Sequence, residues 1–382
     1  MSKYFLIAGE ASGDTHAARL INELRRSDPE AHFAGLGGDR MAAAGCRLYQ
    51  DYRHMAFMAF AAVISHLGQI HRNFQIARKA LLTEQPDALI LIDYPSFNLR
   101  MAAYSRKHLP KTKIYYYIPP KVWAWKRRRI HTIARLCDGV LGIFPFEPDF
   151  YARYGYHCTY VGNPTVEEIM AKGEWAKGGS KGKTVSQSGG RSVIALLPGS
   201  RENEVRHCLP VMLEAARRMN GYAITVTAAP GLEDSLYTPY LRDGETLTRE
   251  TYAALQNARM AVVNSGTATL ETALLNCPQV AVYHLACSRL LGLIRWAQPL
   301  LFSIRHFTLV NILAGREVIR ELVANDFTAD KIETELRRLT DEDICQQMQR
   351  DYAEIRTLLG TQSAPQSAAQ IISTSRHDDM TT

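Results

Sequence analysis

Asp93 closes the apolar run Ala88-Leu-Ile-Leu-Ile92, so a strand would deliver a carboxylate to its own end. Partial burial there raises the pKa of an acid toward that of a useful general base, although an aspartate at a strand end is also a common turn former. The segment Gly9-Glu-Ala-Ser-Gly-Asp14 joins a first strand to a helix beginning near Thr15. The small residues Gly9, Ser12 and Gly13 let backbone N–H groups approach a ligand, and Glu10 and Asp14 are reserve carboxylates for proton transfer. A tight turn with Ser12 or Asp14 as helix cap explains the same residues. The segment is neither Gly-x-Gly-x-x-Gly nor a Walker loop, which disfavours dinucleotide binding and ATP hydrolysis.

Two later turns suit anions. Pro198-Gly199-Ser200-Arg201 sets a permanent cation beside a glycine-opened loop, a combination fitted to a diphosphate, with a surface pair between Arg201 and Glu204 as the alternative. In Asn264-Ser-Gly-Thr-Ala-Thr-Leu-Glu271, Ser265, Gly266 and Thr267 offer hydroxyl and amide donors at the positive end of a helix. Glu271 follows about one turn on, where a carboxylate can accept both hydroxyls of a ribose. A helix cap and an ordinary helix glutamate would explain each of these residues singly.

Charge is uneven. Of a formal net +7, the stretch Tyr94–Cys137 contributes eleven Lys or Arg and no acid, leaving the rest of the chain mildly acidic. Such a field implies an anionic partner. Within it, Trp123-Ala-Trp125-Lys-Arg-Arg-Arg129 mixes indoles with cations, as a protein touching anionic lipid would; no recognised nucleic-acid module surrounds it, so no nucleic-acid partner is expected. A second acid-free stretch, Thr272–Arg316, reads as a basic amphipathic surface, a helix-packing face or a dimer interface. The apolar segment from Met55 to Leu67 is too interrupted to span a membrane and fits either core or interface.

These residues need elements that hold them. Short β-rich runs alternate with helical patterns, which predicts α/β domains with parallel sheets. Strands are expected at Tyr4–Ala8, His32–Leu36, Ala88–Ile92, Lys113–Ile118, Gly139–Ile143 and Cys158–Val161, then at Val193–Leu197, Ala223–Thr227, Met260–Val263 and Gln279–Tyr283. Ligands of open α/β sheets bind beyond the carboxyl ends of the strands, where the loaded turns fall. The Gly/Ser/Lys-rich stretch Lys172–Arg191 reads as a linker, giving domains over residues 1–170 and 171–345, with helices at about 345–375 packing back on the first. Seven scattered cysteines without a Cys-x-x-Cys pair, and an N-terminal apolar run too short for a signal peptide, fit a reducing cytoplasm.

Six motifs together resemble the lipid-A-disaccharide synthase family, in order and across nearly the whole chain. They are Gly9-Glu-Ala-Ser-Gly-Asp14, Ile92-Asp-x-Pro-x-Phe-Asn98, Pro120-x-Val-Trp-Ala-Trp125, Leu197-Pro-Gly-Ser-Arg-x-x-Glu-Val205, Ser265-Gly-Thr-Ala-x-Leu-Glu271 and Asn311-x-Leu-Ala-Gly-Arg-Glu317. The resemblance implies a GT-B fold, two Rossmann-like domains facing a central cleft, with UDP-2,3-diacylglucosamine as donor and 2,3-diacylglucosamine 1-phosphate (lipid X) as acceptor. It implies inversion at the donor carbon without metal or other cofactor. Asp93 would be the base, with Glu10 and Asp14 in reserve. Gly199, Ser200, Arg201, Ser265, Gly266 and Thr267 would hold the diphosphate, Glu271 the ribose, and Asn311 would complete the donor site. The family also implies a cytoplasmic protein lying peripherally on an anionic inner-membrane surface, and its members can exchange C-terminal helices in a homodimer. UDP-GlcNAc epimerases and the glucosaminyltransferase of peptidoglycan precursor share the scaffold, but the Pro120–Trp125 and Asn311–Glu317 signatures argue against both.

Overall fold

The computed structural model describes residues 2–55, 67–172, 191–264, 266–284 and 306–380. It divides into two compact units. The first comprises Met1–Pro164 and Thr361–Thr382, the second Thr165–Gly360. The linker read at Lys172–Arg191 falls almost wholly outside the described residues, as do most of the apolar segment after Met55 and the middle of the second acid-free stretch.

Unit 1 is a seven-stranded, all-parallel sheet in the order β3-β2-β1-β4-β5-β6-β7. Its strands are β1 (Lys3–Ala8), β2 (His32–Gly37), β3 (Arg47–Asp51), β4 (Ala88–Ile92), β5 (Lys113–Tyr117), β6 (Gly139–Gly142) and β7 (Thr159–Tyr160). The helices between them are α1 (Ala11–Ser27), α2 (Asp39–Ala43), α3 (Leu67–Glu84), α4 (Pro95–His108), α5 (Arg129–Leu136) and α6 (Glu147–Ala152). β1 and β4 are buried on both faces, as parallel strands covered by helices must be. That is why Ala88–Ile92 is apolar without alternation. The winding reverses between β1 and β4, which opens a crevice at their carboxyl ends.

Unit 2 begins with α7 (Pro164–Ala171) and repeats the plan with six parallel strands, ordered β10-β9-β8-β11-β12-β13. These are β8 (Ser192–Leu197), β9 (Tyr222–Thr227), β10 (Thr246–Thr248), β11 (Ala258–Val263), β12 (Gln279–Tyr283) and β13 (Glu321–Val323). The covering helices are α8 (Glu202–Arg217), α9 (Thr251–Asn257), α10 (Gly266–Leu274), α11 (Leu309–Ala314), α12 (Ala329–Arg338) and α13 (Glu342–Leu359). Here the switch lies between β8 and β11. Three strands escape the sequence pattern, β3, β10 and β13, and all lie at sheet edges. An edge strand is half-solvated and short, so it lacks the continuous apolar run that marks its neighbours.

The last helix, α14 (Ala364–Met380), returns to unit 1 and lies along α1. The return is made by this helix alone, because α13 stays in unit 2 against α10 and α11. Ala364, Ala368, Ala369 and Ile372 recur at helical spacing and are buried in the core that holds Leu20, Ile21 and Leu24 of α1. The small residues let the two helices approach closely, and Ile372 supplies most of the apolar volume. Ile372→Ala removes that volume and is expected to cost about 2–4 kcal/mol, read as a lower Tm by calorimetry; an unchanged Tm would show that α14 does not stabilise unit 1.

Candidate active site

The switch point of unit 1 is built around an unusual pair of residues. Asp93 and Tyr94 both adopt left-handed backbone, with φ of 43° and 45°, a region that costs non-glycine residues energy unless the surroundings enforce it. Pro95 contributes, since it bars right-handed helix to the residue before it and starts α4. Hydrogen bonds supply the rest. The Asp93 carbonyl accepts from Asn98 Nδ2 at 2.7 Å and from the Tyr116 hydroxyl at 2.7 Å, and Asn98 Nδ2 also donates to the Ile92 carbonyl at 3.1 Å. The Tyr94 ring covers Gly9, where a Cβ would overlap it, and its hydroxyl donates to the Met55 carbonyl at 2.7 Å. Gly9 is therefore required by this packing.

Asp93 lines a cavity of about 410 Å³ whose wall includes Pro120, Lys121, Trp125, Lys126 and Arg129. Ile118 and Lys126 of the same wall are also left-handed, at φ 60° and 55°. Four of the seven non-glycine residues with positive φ among the described residues thus sit on or beside this one cavity. Backbone strain concentrates where a site is preorganised. Burial raises the Asp93 pKa, and the Tyr94 N–H and the Lys121 ammonium limit the rise. Lys121 is solvent-accessible, yet crowding in the concave wall lowers its pKa, opposed by Asp93 and Glu147.

Glu147 is a residue whose part the sequence did not disclose. It is fully buried and accepts from Trp123 Nε1 at 3.1 Å, from the Ile143 N–H at 2.8 Å and from the Phe144 N–H at 3.0 Å. Burial pushes its pKa up to about 7, against those three donors and Lys121. It fastens the loop carrying Lys121 and Trp123 to the end of β6. The signal available was Glu147 in the turn after a strand, with the Trp motif upstream.

Asp14 cannot serve as a base. Only 3% exposed, its carboxylate accepts from the N–H groups of Gly38, Arg40 and Met41 at 2.7, 3.1 and 3.1 Å. It fixes the start of α2, the helix-capping alternative in a different helix from its own. Glu10 precedes α1 without a side-chain capping bond, and it adds to burial in raising the Tyr94 pKa. Ser12 is exposed in the first turn of α1, and Gly13 is buried there.

The switch point of unit 2 carries the second set. Gly199 has φ +125°, and a Cβ there would fall 2.6 Å from Glu204 Oε2. Glu204 accepts from the Ser200 N–H at 2.9 Å and the Arg201 N–H at 3.3 Å, and pairs with Arg201 Nη1 at 3.1 Å. Arg201 therefore makes the surface pair, with its side chain 71% exposed. Asn264 donates through Nδ2 to the Pro198 carbonyl at 2.8 Å, tying the two switch-point loops together. Ser265 lies outside the described residues. Gly266 and the exposed Thr267 begin α10. Glu271 is half-buried on α10; burial, then the neighbouring Glu168, push its pKa up to about 7, and Lys172 opposes them.

Asn311 has another task than the one expected. Fully buried, it donates to the Ile319 carbonyl at 2.8 Å and to Glu321 Oε1 at 2.9 Å, and its Oδ1 accepts from the Val318 and Ile319 N–H groups at 2.8 and 3.0 Å. Both amide hydrogens and both oxygen lone pairs are used, so the side chain has nothing left for a donor sugar. Arg316 of the same motif pairs with Asp351 at 2.8 Å and Glu354 at 2.9 Å, which ties the motif to α13. Among the described residues no group of three or more His, Cys, Asp or Glu side chains could hold a metal ion, and no helix is long and apolar enough to cross a membrane.

Two doubly wound units with loaded switch points are a fold, and the sequence comparison supplies the family. A model described as lipid-A-disaccharide synthetase matches residues 4–374. The chain belongs to the lipid-A-disaccharide synthetase family. Proteins named lipid-A-disaccharide synthase from Geobacter sulfurreducens and Myxococcus xanthus are 35% and 36% identical, each alignment covering 97% of this chain and 96% of the relative. Among solved structures, the calicheamicin glycosyltransferase is similar at a TM-score of 0.59 and 15% identity, covering 98% of both chains. A UDP-GlcNAc 2-epimerase from Neisseria meningitidis bound to UDP-GlcNAc gives 0.56 and 11%, covering 98% of this chain and 100% of that one. These likenesses establish the GT-B fold, which glycosyltransferases and epimerases share. Family membership makes this chain a glycosyltransferase of lipid A biosynthesis.

Asn311→Ala strands two buried N–H groups, a carbonyl and Glu321, and is expected to cost about 2–4 kcal/mol. A lower Tm is the readout, whereas a normal Tm with a raised KM for sugar nucleotide would restore Asn311 to the binding site. Glu271 keeps its proton to about pH 7 in the folded chain but loses it near 4.5 unfolded. Its stabilisation is thus complete below pH 4.5 and is lost as pH rises to about 7. Urea unfolding between pH 5 and 8 should therefore show Glu271→Gln gaining stability relative to the parent as pH rises; a flat difference would mean that Glu271 ionises normally.

Proposed function

We propose that this enzyme transfers 2,3-diacylglucosamine from UDP to the 6-hydroxyl of 2,3-diacylglucosamine 1-phosphate, releasing UDP and inverting the donor carbon. The observation that carries the reading is Asp93, a strand-end carboxylate of raised pKa lining a cavity at a switch point, in a chain of this family. The acceptor oxygen attacks the anomeric carbon while its proton passes to the Asp93 carboxylate. The bond from that carbon to the diphosphate breaks, and UDP leaves with the electron pair.

A raised pKa makes Asp93 a stronger base than a surface aspartate. Its backbone is clamped, so the carboxylate need not be reorganised during reaction. In unit 2, Arg201 and the start of α10 would receive the diphosphate and Glu271 the ribose. The exposed Arg201–Glu204 pair contributes under about 1 kcal/mol, so a diphosphate of higher charge can draw the guanidinium away. We further propose that Trp125, 58% exposed with Arg127 and Arg128 near it, rests on an anionic membrane surface from the cytoplasmic side, where both acylated substrates reside.

Purified protein given both acylated substrates should yield a tetraacyl disaccharide 1-phosphate by mass spectrometry, and Asp93→Asn should lower kcat by about 10²–10⁴-fold with Tm retained. Near-normal turnover in that variant would remove Asp93 as base, and no product from the parent would overturn the activity.

A further inference from the structure

Besides Asp93, three cations line the cavity: Lys121, Lys126 and Arg129. The contacts that place them are with neutral groups. Lys121 Nζ stands 6.0 Å from the Phe144 ring centroid, Lys126 Nζ lies 4.5 Å from that of Trp125, and Arg129 Nη2 is 3.4 Å from Ser96 Oγ. Aromatic faces and a hydroxyl hold such groups without neutralising them. Burial lowers the Lys121 pKa and Asp93 and Glu147 oppose that shift, and Lys126 is kept on the wall in a left-handed conformation. One cavity of about 410 Å³ thus presents a proton acceptor and a cationic triad over an apolar floor, large enough for one sugar ring.

We propose that Lys121, Lys126 and Arg129 form a subsite for a phosphate monoester, occupied in turnover by the anomeric phosphate of the acceptor. The assignment rests on the proposed transfer reaction. In an α-glucosamine 1-phosphate, the 6-hydroxymethyl group and the phosphate project from opposite faces of the ring, at the two carbons that flank the ring oxygen. A ring whose hydroxyl meets Asp93 turns its phosphate away from that carboxylate, and phosphate held by the triad orients the ring so that the 6-hydroxyl is the one presented. The triad therefore selects both the phosphorylated acceptor and the hydroxyl that reacts.

The test compares acceptors with and without the phosphate. The parent should prefer 2,3-diacylglucosamine 1-phosphate over 2,3-diacylglucosamine in kcat/KM. Lys126→Met and Arg129→Met should each reduce that preference by about tenfold or more, as the loss of one charge-assisted contact does, with the KM for UDP-sugar unchanged. Lys121→Arg should retain the preference that Lys121→Met loses. Equal loss on both acceptors, or an unaltered preference, overturns the subsite while leaving the transfer reaction standing.

Direct binding is measured separately with glucosamine 1-phosphate, glucosamine and inorganic phosphate, by NMR titration of the full chain. Glucosamine 1-phosphate should bind best and the Met variants should lose it, an outcome that supports the subsite even if no disaccharide forms. Retained glucosamine 1-phosphate binding in the Met variants, coupled to lost binding of phosphatidylglycerol vesicles, would assign the cations to lipid headgroups and overturn the proposal.

Discussion

The carbonyl oxygen of Asp93 is the fixed point of unit 1. Buried Asn98 and Tyr116 both donate to it, and these two bonds hold the chain in a conformation that neither Asp93 nor Tyr94 would adopt alone. Each left-handed non-glycine residue costs about 1–3 kcal/mol, comparable with what the two buried bonds contribute. The balance decides where the side chains go. Tyr94 is thrown across Gly9 to the end of β1, closing the crevice floor, and Asp93 is left on the cavity wall. A glycine at residue 94 would ease the backbone but lose the ring that makes this geometry rigid.

The two units solve the same topological problem differently. Each reverses its winding between its first and fourth strands and must bridge the gap that results. Unit 1 uses an aromatic ring over a glycine. Unit 2 uses an amide, with Asn264 donating across to the Pro198 carbonyl, and organises the adjoining loop with Glu204. The first solution makes a partly apolar cavity beside a carboxylate, which suits an acylated sugar. The second leaves exposed Arg201 and Thr267 at the starts of two helices, which suits a diphosphate.

What the sequence disclosed follows from burial. Nine of the ten strands read from it lie inside the sheets, and the tenth, β7, is an edge flanked by buried Cys158 and Val161, whereas β3, β10 and β13 at the other edges were invisible to that pattern. The position of Asp93 was legible because five consecutive apolar residues mark the buried strand whose end it occupies. The parts played by Asp14 and Asn311 were not. Both stand in motifs shared with a family of enzymes, and both are satisfied within the fold, Asp14 by the backbone at the start of α2 and Asn311 by the backbone of Val318 and Ile319 and the Glu321 carboxylate. Sequence shows that a polar residue is required at such a position, but not whether a ligand or a peptide group answers it. Glu147 shows the converse, a side chain without a signature whose three hydrogen bonds anchor the loop carrying the Trp motif.

The distribution of acids around the first basic stretch acquires a physical sense in this light. Its boundaries are Asp93 and Asp138, and each has a fixed duty. Asp138 pairs with Arg106 at 2.5 Å and accepts the Ile114 N–H at 2.7 Å, so it neutralises a cation of α4 away from the cavity wall. Asp93 and Glu147 flank Lys121 closely enough to oppose the lowering of its pKa by burial, yet both have raised pKa values of their own. An additional Asp or Glu on the Pro119–Arg129 loop would sit in the same concave wall, where lowered solvent screening strengthens every charge interaction. It would neutralise Lys126 or Arg129 and push the Asp93 pKa higher still, favouring the protonated carboxyl. The absence of acids from this loop therefore preserves two properties at once, a positive wall and an ionisable Asp93 carboxyl.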